Sequence, residues 1–279
     1  WLCVVLWQLS YKFTYVNLLV RVIAIIVVLV IVNKWTNPAN KLSWTFLILL
    51  SPIFGLMVYF LFGRSGLTKH TRERMDAVNR QVEALFQRDS AEEKGLEKES
   101  RSAYLQSSYI DKWAGFPLYQ NTQTKYYSCG EEMFPDMLEA LRGAKHFIFL
   151  EYFIIEEGYM FNTILDILEE KAKAGVDVRF IYDDVGSINS ISFGYYKKLQ
   201  ERGIPCVTFN PFKPLISVVM NNRDHRKIFV VDGYIGFTGG INLADEYINK
   251  VKRFGYWKDT GVRIEGEAVW SLTAMFLEM

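Results

Sequence analysis

The chain has 279 residues, of which 50% are hydrophobic and 23% are charged, and its 32 basic side chains nearly balance 31 acidic ones. This composition excludes a disordered polar chain and a strongly basic nucleic-acid-binding protein. The three cysteines show no CxxC spacing, which argues against a disulfide framework and against a zinc site.

The charges are unevenly distributed along the chain. Residues 1–64 hold five basic side chains and no acidic one, whereas residues 65–279 hold 27 basic and 31 acidic side chains. The first part is therefore apolar and basic, and the second is mildly acidic. The second part is long enough to form the core of one large domain or two small ones.

Two segments in the first part are apolar enough to cross a bilayer. Residues 44–62 carry no charge, and as a helix rising ~1.5 Å per residue they match the ~30 Å hydrocarbon core. Residues 14–33 are nearly as apolar but contain Arg21, whose side chain can snorkel to the interface. We predict a transmembrane helix hairpin within residues 1–64; the alternative is a buried hairpin of a soluble protein. Basic residues after the second segment place the following region in the cytoplasm.

Residues 65–103 form a charged juxtamembrane stretch. Four apolar residues recur there at helical spacing, which predicts an amphipathic helix within residues 68–86. These residues are Met75, Val78, Val82 and Leu85. Such a helix would either lie on anionic lipid or pack on the globular domain. Residues 87–103 are polar and predict a mobile linker.

Residues 104–279 form the predicted globular domain. Helical patterns alternate there with apolar strands, which predicts an α/β domain whose mixed β-sheet is flanked by helices on both faces. The predicted strands are 125–128, 146–155, 176–182 and 205–209, and the predicted helices are 133–142, 161–174 and 192–202. Two further strands, 227–231 and 234–238, are joined by Asp232-Gly233, a hairpin signal.

One segment combines side chains that suit phosphoryl chemistry. His225 and Lys227 lie two residues apart at the start of a strand, so their side chains point to the same face. The lysine could hold the non-bridging oxygens of a phosphoryl group, while the histidine attacks phosphorus or carries the proton. Asn242 can donate its amide to the same oxygens, and Gly239-Gly240 allow a close approach of the backbone.

The specificity of this signal comes from the joint pattern. A lone His-x-Lys pair is common at solvated strand edges, but here Asp232 completes the spacing HxKx4D and GGxN follows it. The other two histidines, His70 and His146, are expected to be structural or solvated. Metal binding has weak support, because His225 has no second His or Cys at ligand spacing.

At these residues the sequence resembles the phospholipase D superfamily, whose signature is HxKx4D, and within it the bacterial cardiolipin synthases. The similarity extends to the two apolar segments with NPANKLSW between them, and to LEYFII, VRFIYDDVGS, NRDHRKIFVVDG, FTGGIN and YWKDTGVRI. It implies an enzyme that converts two phosphatidylglycerol molecules into cardiolipin and glycerol without metal or other cofactor. It also implies a multi-pass protein of the cell membrane that acts on anionic lipid at the cytoplasmic side.

The resemblance implies roles for individual residues. His225 would form a phosphatidyl-histidine intermediate, and Lys227 and Asn242 would hold the phosphate. Asp232, grouped with the catalytic residues as part of the motif, is largely structural in the family. Asp259 would bond the second ring nitrogen of His225, which suits the need for one free nitrogen.

Two further carboxylates fall at family-like positions near the site. Glu151 lies inside an apolar strand, where a carboxylate is costly unless it is paired, and Asp183 lies at a strand end. Both are possible site-lining residues.

The chain departs from the family pattern in one respect. Cardiolipin synthases carry two HKD motifs, and the second histidine protonates the leaving glycerol; this chain has one motif. Because the apolar helix predicted at 268–277 has no stop signal, we expect a fragment whose domain 104–279 is truncated. The second half would come from a missing C-terminal region or a second copy, and the fragment alone would be inactive or weakly active.

Two other functions remain open. One is a single-motif, membrane-tethered phosphodiesterase or phospholipase that works as a homodimer, and the other is a non-enzymatic membrane scaffold. A nucleic-acid partner is not expected, because residues 65–279 are net negative.

Overall fold

The computed structural model describes residues 4–5, 14–63, 69–86, 88, 90–211 and 222–279. They fall into two compact units: one holds the described residues up to 63, and the other holds those from 69 onward. The first unit is helical, and the second is an α/β domain preceded by helices.

Helix α1 spans Thr14–Asn33 and, among the described residues, is the helix long and apolar enough to cross a membrane. Only 11% of its spanning window is buried, whereas the core helix of a soluble protein would be mostly covered. The guanidinium of Arg21 donates to the side-chain oxygen of Asn17 one turn earlier, at 3.2 Å.

The predicted second span, residues 44–62, is interrupted in the structure. Helix α2 covers Pro38–Leu50 and helix α3 covers Pro52–Phe62. Pro52 has no N–H and disfavours helical geometry in the residue before it, and Ser51 adopts φ −140° and ψ 86°. With 13 and 11 residues, the two helices are about 20 and 17 Å long. A second spanning helix is therefore not confirmed.

The three helices of the first unit pack around a small apolar cluster. Its buried members are Ala24, Ile31, Ile48, Leu56 and Tyr59. Gly55 permits α3 to fold back closely on α2, because a Cβ at this position would lie 2.6 Å from the Cα of Ile48. The glycine within the apolar segment thus serves a tight helix–helix contact.

Helices occupy the stretch before the sheet. Helix α4, Lys69–Glu83, lies where an amphipathic helix is predicted. The structure differs from the predicted mobile linker, because α5 spans Ser90–Glu99 and α6 spans Arg101–Ala114. The side chain of Ser100 caps α6, and Arg88 pairs with Asp111 at 2.9 Å. The cap and the ion pair support α6, and hydrophobic periodicity cannot reveal either of them.

A mixed seven-stranded sheet forms the centre of the second unit. Its strands are β1 Thr122–Tyr127, β2 Phe147–Tyr152, β3 Asp177–Asp183, β4 Cys206–Phe209, β5 Ile228–Val231, β6 Ile235–Gly239 and β7 Gly261–Gly266. The spatial order is β1-β7-β6-β5-β2-β3-β4. Strands β2, β3 and β4 are parallel, and every other pairing is antiparallel.

Helices cover both faces of this sheet, as predicted. Helices α7 Gly130–Gly143, α8 Tyr159–Lys173 and α9 Tyr196–Glu201 contribute to the larger apolar core on one face. Helix α10, Val269–Leu277, covers the other face with a smaller core around Phe149 and Phe276. The α/β architecture with a mixed sheet is therefore confirmed.

The hairpin between β5 and β6 is also confirmed. Asp232 and Gly233 both have positive φ, 52° and 65°, as the two-residue turn signal requires. Strand β7 is not predicted from the sequence, although it lies between β1 and β6. Its six residues alternate apolar and charged side chains between two glycines, a pattern too short to identify a strand reliably.

The smaller core offers a test of the packing. The rings of Phe149 and Phe276 stack at 4.6 Å, and both are buried. Phe276→Ala should lower the free energy of unfolding by about 3 kcal/mol, because it removes this ring and leaves a cavity. Urea unfolding of the detergent-solubilised chain would measure it. Phe193→Ala, at a position 87% exposed, is the control and should change it by less than about 0.5 kcal/mol. Equal effects of the two variants would contradict the placement of Phe276 in the smaller core.

Candidate active site

The sheet topology brings the predicted site residues to one edge. Because β5 runs antiparallel to β2, the start of β5 lies beside the end of β2, with Ile228 opposite Glu151. The end of β6 lies beside the start of β7, with Gly239 opposite Gly261. Segments far apart in sequence therefore meet at this edge.

His225 and Lys227 contact each other just before β5. The Lys227 ammonium lies 3.4 Å from Nδ1 of His225 and donates to the carbonyl oxygen of the same residue at 2.8 Å. The ring of Phe153, which follows β2, lies 4.5 Å from the imidazole ring and 5.4 Å from the ammonium. The imidazole is exposed, whereas Lys227 is only 4% exposed. A solvent-facing ring thus sits on a buried cation.

Burial changes the acidity of this cation. Loss of hydration lowers the pKa of Lys227 to about 8, and the charges of Asp259 and Asp224 oppose the change. The ammonium therefore remains mostly charged at neutral pH, although little water contacts it. A cation in this state interacts with an arriving anion more strongly than an exposed lysine does.

Asp259 lies beside the glycine pair. Its carboxylate accepts hydrogen bonds from the N–H of Thr260 at 2.8 Å and from the indole of Trp257 at 3.4 Å. A Cβ on Gly240 would lie 2.0 Å from its Oδ1, so the absence of a side chain there lets the carboxylate take this position. Among the described residues no hydrogen bond joins Asp259 to His225, and it is Lys227 that faces Nδ1.

Asn242 is buried and already hydrogen-bonded on both sides. Its Oδ1 accepts from the N–H of Ile154 at 3.0 Å, and its Nδ2 donates to the hydroxyl of Tyr247 at 2.8 Å. The first bond fixes the backbone just after Phe153, and the second leaves one amide hydrogen for another acceptor. The residue supports the site before it contacts any ligand.

Asp183 holds the segment that leads into His225. It is fully buried at the end of β3, and it accepts from the backbone N–H of Asp224 at 3.0 Å and of Gly186 at 2.8 Å. The Arg223 guanidinium lies 3.4 Å from the same carboxylate. Asp183, predicted to line the site, thus anchors the backbone one residue before His225.

Glu151 belongs to a cluster of ionisable side chains with Asp224 and Arg226, in which the two carboxyl groups are buried and Arg226 is partly exposed. Arg226 Nε lies 2.8 Å from Glu151 Oε1, but its hydrogen is aligned with Asp224 Oδ1 at 3.0 Å. Burial, together with the nearby Asp224 carboxylate, raises the pKa of Glu151 to about 9, which Arg226 only partly opposes. The cluster flanks the histidine segment from Asp224 to Arg226.

Asp232 lies apart from the other predicted site residues. It stands at the opposite end of β5, five residues or ~16 Å of strand beyond Lys227. Its carboxylate accepts from the N–H groups of Lys145, His146 and Phe147, at 2.8, 2.7 and 2.9 Å. The grouping of Asp232 with the catalytic residues stays a prediction; in the structure its carboxylate fixes the start of β2.

Four residues of the site were not singled out from the sequence. They are Phe153, Asp224, Arg226 and Tyr247. Asp224 and Arg226 flank the histidine in the chain, which is the signal that could have identified them. Phe153 and Tyr247 read as ordinary core aromatics. Among the described residues, no group of three or more His, Cys, Asp or Glu side chains could hold a metal ion.

Comparison with known proteins identifies similar sequences. Residues 137–256 match the family model for the PLD-like domain of cardiolipin synthase, and residues 22–64 match that for the phospholipase D-nuclease N-terminal region. Cardiolipin synthase 1 of Bacillus cereus is 36% identical over 275 residues, covering 95% of this chain and 52% of that protein. An uncharacterized protein of Streptococcus mutans is 41% identical, covering 90% of this chain and 55% of that protein.

The chain spans about half the length of the curated relatives it matches. Among solved structures, a phospholipase D family member, Nuc from Salmonella typhimurium, is similar at 20% identity with a TM-score of 0.40. The similarity covers 57% of this chain and 91% of that one.

The three amide bonds to Asp232 predict a structural effect. Asp232→Ala should lower the free energy of unfolding by about 2 kcal/mol, because the amides at the start of β2 lose their acceptor. These bonds also lower the pKa of Asp232 against the opposing effect of burial. The stabilisation is therefore complete above the ordinary aspartate pKa of about 3.9 and is lost on acidification below it.

Denaturant unfolding at pH 7 and pH 3 would measure this effect. Asp166→Ala removes an exposed carboxylate paired with Arg202, and as the control it should change stability by less than about 0.5 kcal/mol. An Asp232→Ala variant as stable as the wild type at pH 7 would contradict the structural role.

The pKa of Lys227 predicts a pH dependence for anion binding. Dimethyl phosphate keeps one negative charge throughout, so its affinity should begin to fall near pH 8 and approach a tenfold loss per pH unit. Phosphorus NMR titration between pH 7 and 10 would measure the dissociation constant. Lys227→Arg keeps its charge over this range and should bind with nearly constant affinity. A wild-type affinity as constant as that of the variant would rule out Lys227 as the anion-binding cation.

Proposed function

Because this chain belongs to the phospholipase D superfamily, we propose that it carries the first catalytic half of a phosphatidyltransferase that makes cardiolipin. Two phosphatidylglycerol molecules would yield one cardiolipin and one glycerol. The observation that carries the proposal is the buried Lys227 ammonium against the exposed imidazole of His225. A cation and a nucleophile at one point suit attack on a phosphodiester.

The reaction proceeds by two displacements at phosphorus. A ring nitrogen of His225 attacks the donor phosphorus, the bond to the glycerol oxygen breaks, and glycerol leaves with one added proton. The primary hydroxyl of a second phosphatidylglycerol then attacks the phosphatidyl-histidine. It loses its proton, and the histidine is regenerated. Charge and atoms balance without an oxidant, a metal or a nucleotide.

Lys227 would hold the non-bridging oxygens throughout both displacements. One hydrogen of the Asn242 amide remains for a phosphate oxygen, and Gly239 and Gly240 allow Thr260 and Asp259 to approach the backbone closely. Since the Lys227 ammonium donates to the backbone carbonyl of His225, the cation is held close to the residue that carries the nucleophile. Such preorganisation is what stabilises charge that develops in a transition state.

The attacking nitrogen must be free of hydrogen, so the other nitrogen must carry it. We assign the acceptor of that hydrogen to Asp259 once substrate draws the Lys227 ammonium away from the imidazole. Support comes from the negative charge of Asp259, which acts on Lys227 and opposes the lowering of the Lys227 pKa by burial. The exposed ring of His225 can turn to present either nitrogen.

A second motif would supply the proton that the leaving glycerol needs. The curated relatives are about twice as long as this chain, which is consistent with a second half beyond residue 279. A second copy of the chain could supply the same group. We further propose that α1 anchors the protein in the cell membrane, that α2 and α3 complete a multi-pass anchor, and that the site faces the cytoplasm.

The nucleophile can be tested without the second motif. A phosphatidyl ester of p-nitrophenol needs no protonation of its leaving group. The chain in phosphatidylcholine vesicles should therefore release one nitrophenolate per site in a burst. The phosphatidyl group, which carries a label, should stay attached to the protein. His225→Ala should lower the rate of the burst by about a thousandfold or more. His146→Ala changes an exposed histidine away from the site, and as the control it should keep the burst.

The identity of the acceptor is tested in the same reaction. Adding phosphatidylglycerol after the burst should convert the trapped lipid to a product of cardiolipin mass. Exclusive formation of phosphatidic acid would identify water as the acceptor and support a phospholipase instead. A His225→Ala burst equal to that of the wild type would overturn the assignment of the nucleophile.

A further inference from the structure

A protruding loop stands beside the candidate site. Residues 250–258 connect the short 3₁₀ helix Asp245–Ile248 to the segment that carries Asp259. Every residue from 250 to 256 is exposed. The catalytic proposal uses none of these residues, so their exposure requires a separate explanation.

The base of this loop is fixed. Asn249 accepts a hydrogen bond from the N–H of Trp257 at 2.6 Å, and its amide donates to the carbonyl of Trp257 at 2.9 Å and to Glu131 at 2.8 Å. One side chain thus binds both ends of the loop together and ties them to α7. The residues between project from a defined base.

The tip of the loop is apolar and aromatic. Phe254 is 77% exposed, Tyr256 64% and Val251 51%. Gly255 has a φ of 98°, which places the turn between the two aromatic residues. Exposing aromatic side chains to water at nearby positions is energetically unfavourable and is typical of an interaction surface.

The charge of the loop is opposite to that of its unit. Residues 249–258 contain four basic side chains and no acidic one, whereas residues 65–279 as a whole are net negative. Arg253 pairs with Glu156 and Glu246 at 3.1 and 3.3 Å. Lys252 and Lys258 are exposed on either side of the aromatic tip.

The loop is connected to the site by direct contacts. The ring of Phe254 lies 6.0 Å from that of Trp257, whose indole donates to Asp259 at 3.4 Å. The same indole packs 5.0 Å from the ring of Tyr247, the partner of Asn242. Whatever the tip binds is therefore held next to the phosphate-binding residues.

We infer that residues 250–258 insert their aromatic tip into the interfacial layer of an anionic membrane and thereby hold the site over the lipid headgroups. This inference rests on the proposed function, because the same membrane carries the substrate. Aromatic residues favour the headgroup layer, and basic residues beside them are attracted to anionic lipid by about fivefold in partitioning for each charge. An acidic protein partner would use the charges but leave the aromatic tip without a matching environment.

Insertion can be measured by fluorescence on the full chain. Cys129 and Cys206 are buried, so with Cys3→Ser a single cysteine at Phe254→Cys can carry an NBD label. Tyr234→Cys is the matched control, because Tyr234 is similarly exposed at 57% but lies in the β5–β6 turn at the opposite edge of the sheet. Both labelled chains are placed in nanodiscs of phosphatidylglycerol or phosphatidylcholine.

The label at 254 should shift to the blue and be quenched by spin-labelled lipid in phosphatidylglycerol, and the label at 234 should not. Lys252→Glu with Lys258→Glu should weaken the shift, as should high salt. An unshifted label at 254, or a shift of equal size at 234, would overturn the inference. A shift in lipid-free amphipol that grows with protein concentration would also overturn it, by indicating a second copy as the occupant.

The two hypotheses fail separately. The fluorescence needs no turnover, and a His225→Ala chain should keep the blue shift at 254 while losing the burst. A normal burst with an unshifted label would refute the loop inference alone. A shifted label with no burst in the wild type would refute the proposed function alone.

Discussion

The candidate site of the second unit depends on the burial of one ammonium group. Lys227 loses most of its water at the sheet edge, and such a loss is tolerated only when other groups stabilise the charge. The carbonyl of His225 and the charges of Asp224 and Asp259 provide that stabilisation. Because Asp259 precedes β7 whereas Asp224, His225 and Lys227 precede β5, this carboxylate and the cation can keep their arrangement only if the sheet register is kept.

The surrounding polar network serves the same requirement. Asp183 at the end of β3 anchors the backbone one residue before the histidine, and Asn242 fixes the backbone beside Phe153. Asp232 performs the corresponding task at the far edge, where it fixes the start of β2. The carboxylates predicted for the site are thus divided between the two ends of β5, and Asp232 maintains the strand that aligns the other groups.

The sequence predicted the elements that carry a strong local signal and missed those that carry none. The β5–β6 hairpin was predictable because Asp232-Gly233 favours positive φ in both residues, a local property. The break at Ser51 was missed because hydropathy counts apolar residues and does not register the missing N–H of Pro52. Helix α6 was missed because its start is marked by a cap and an ion pair, which hydropathy does not register, and α5 was missed because its sequence is polar.

The sequence by itself determined the chemical types: an imidazole and an ammonium two residues apart, a glycine pair, an asparagine and an apolar front. Motif spacing and hydropathy are local quantities, so they can be read without a fold. The tertiary structure decided which of these groups meet. It placed Asp259 where its charge acts on Lys227, hydrogen-bonded Asp183 to the backbone of Asp224, and placed Asp232 at the opposite end of β5. Strand direction and register set those distances, and both depend on pairings between segments that sequence patterns do not specify.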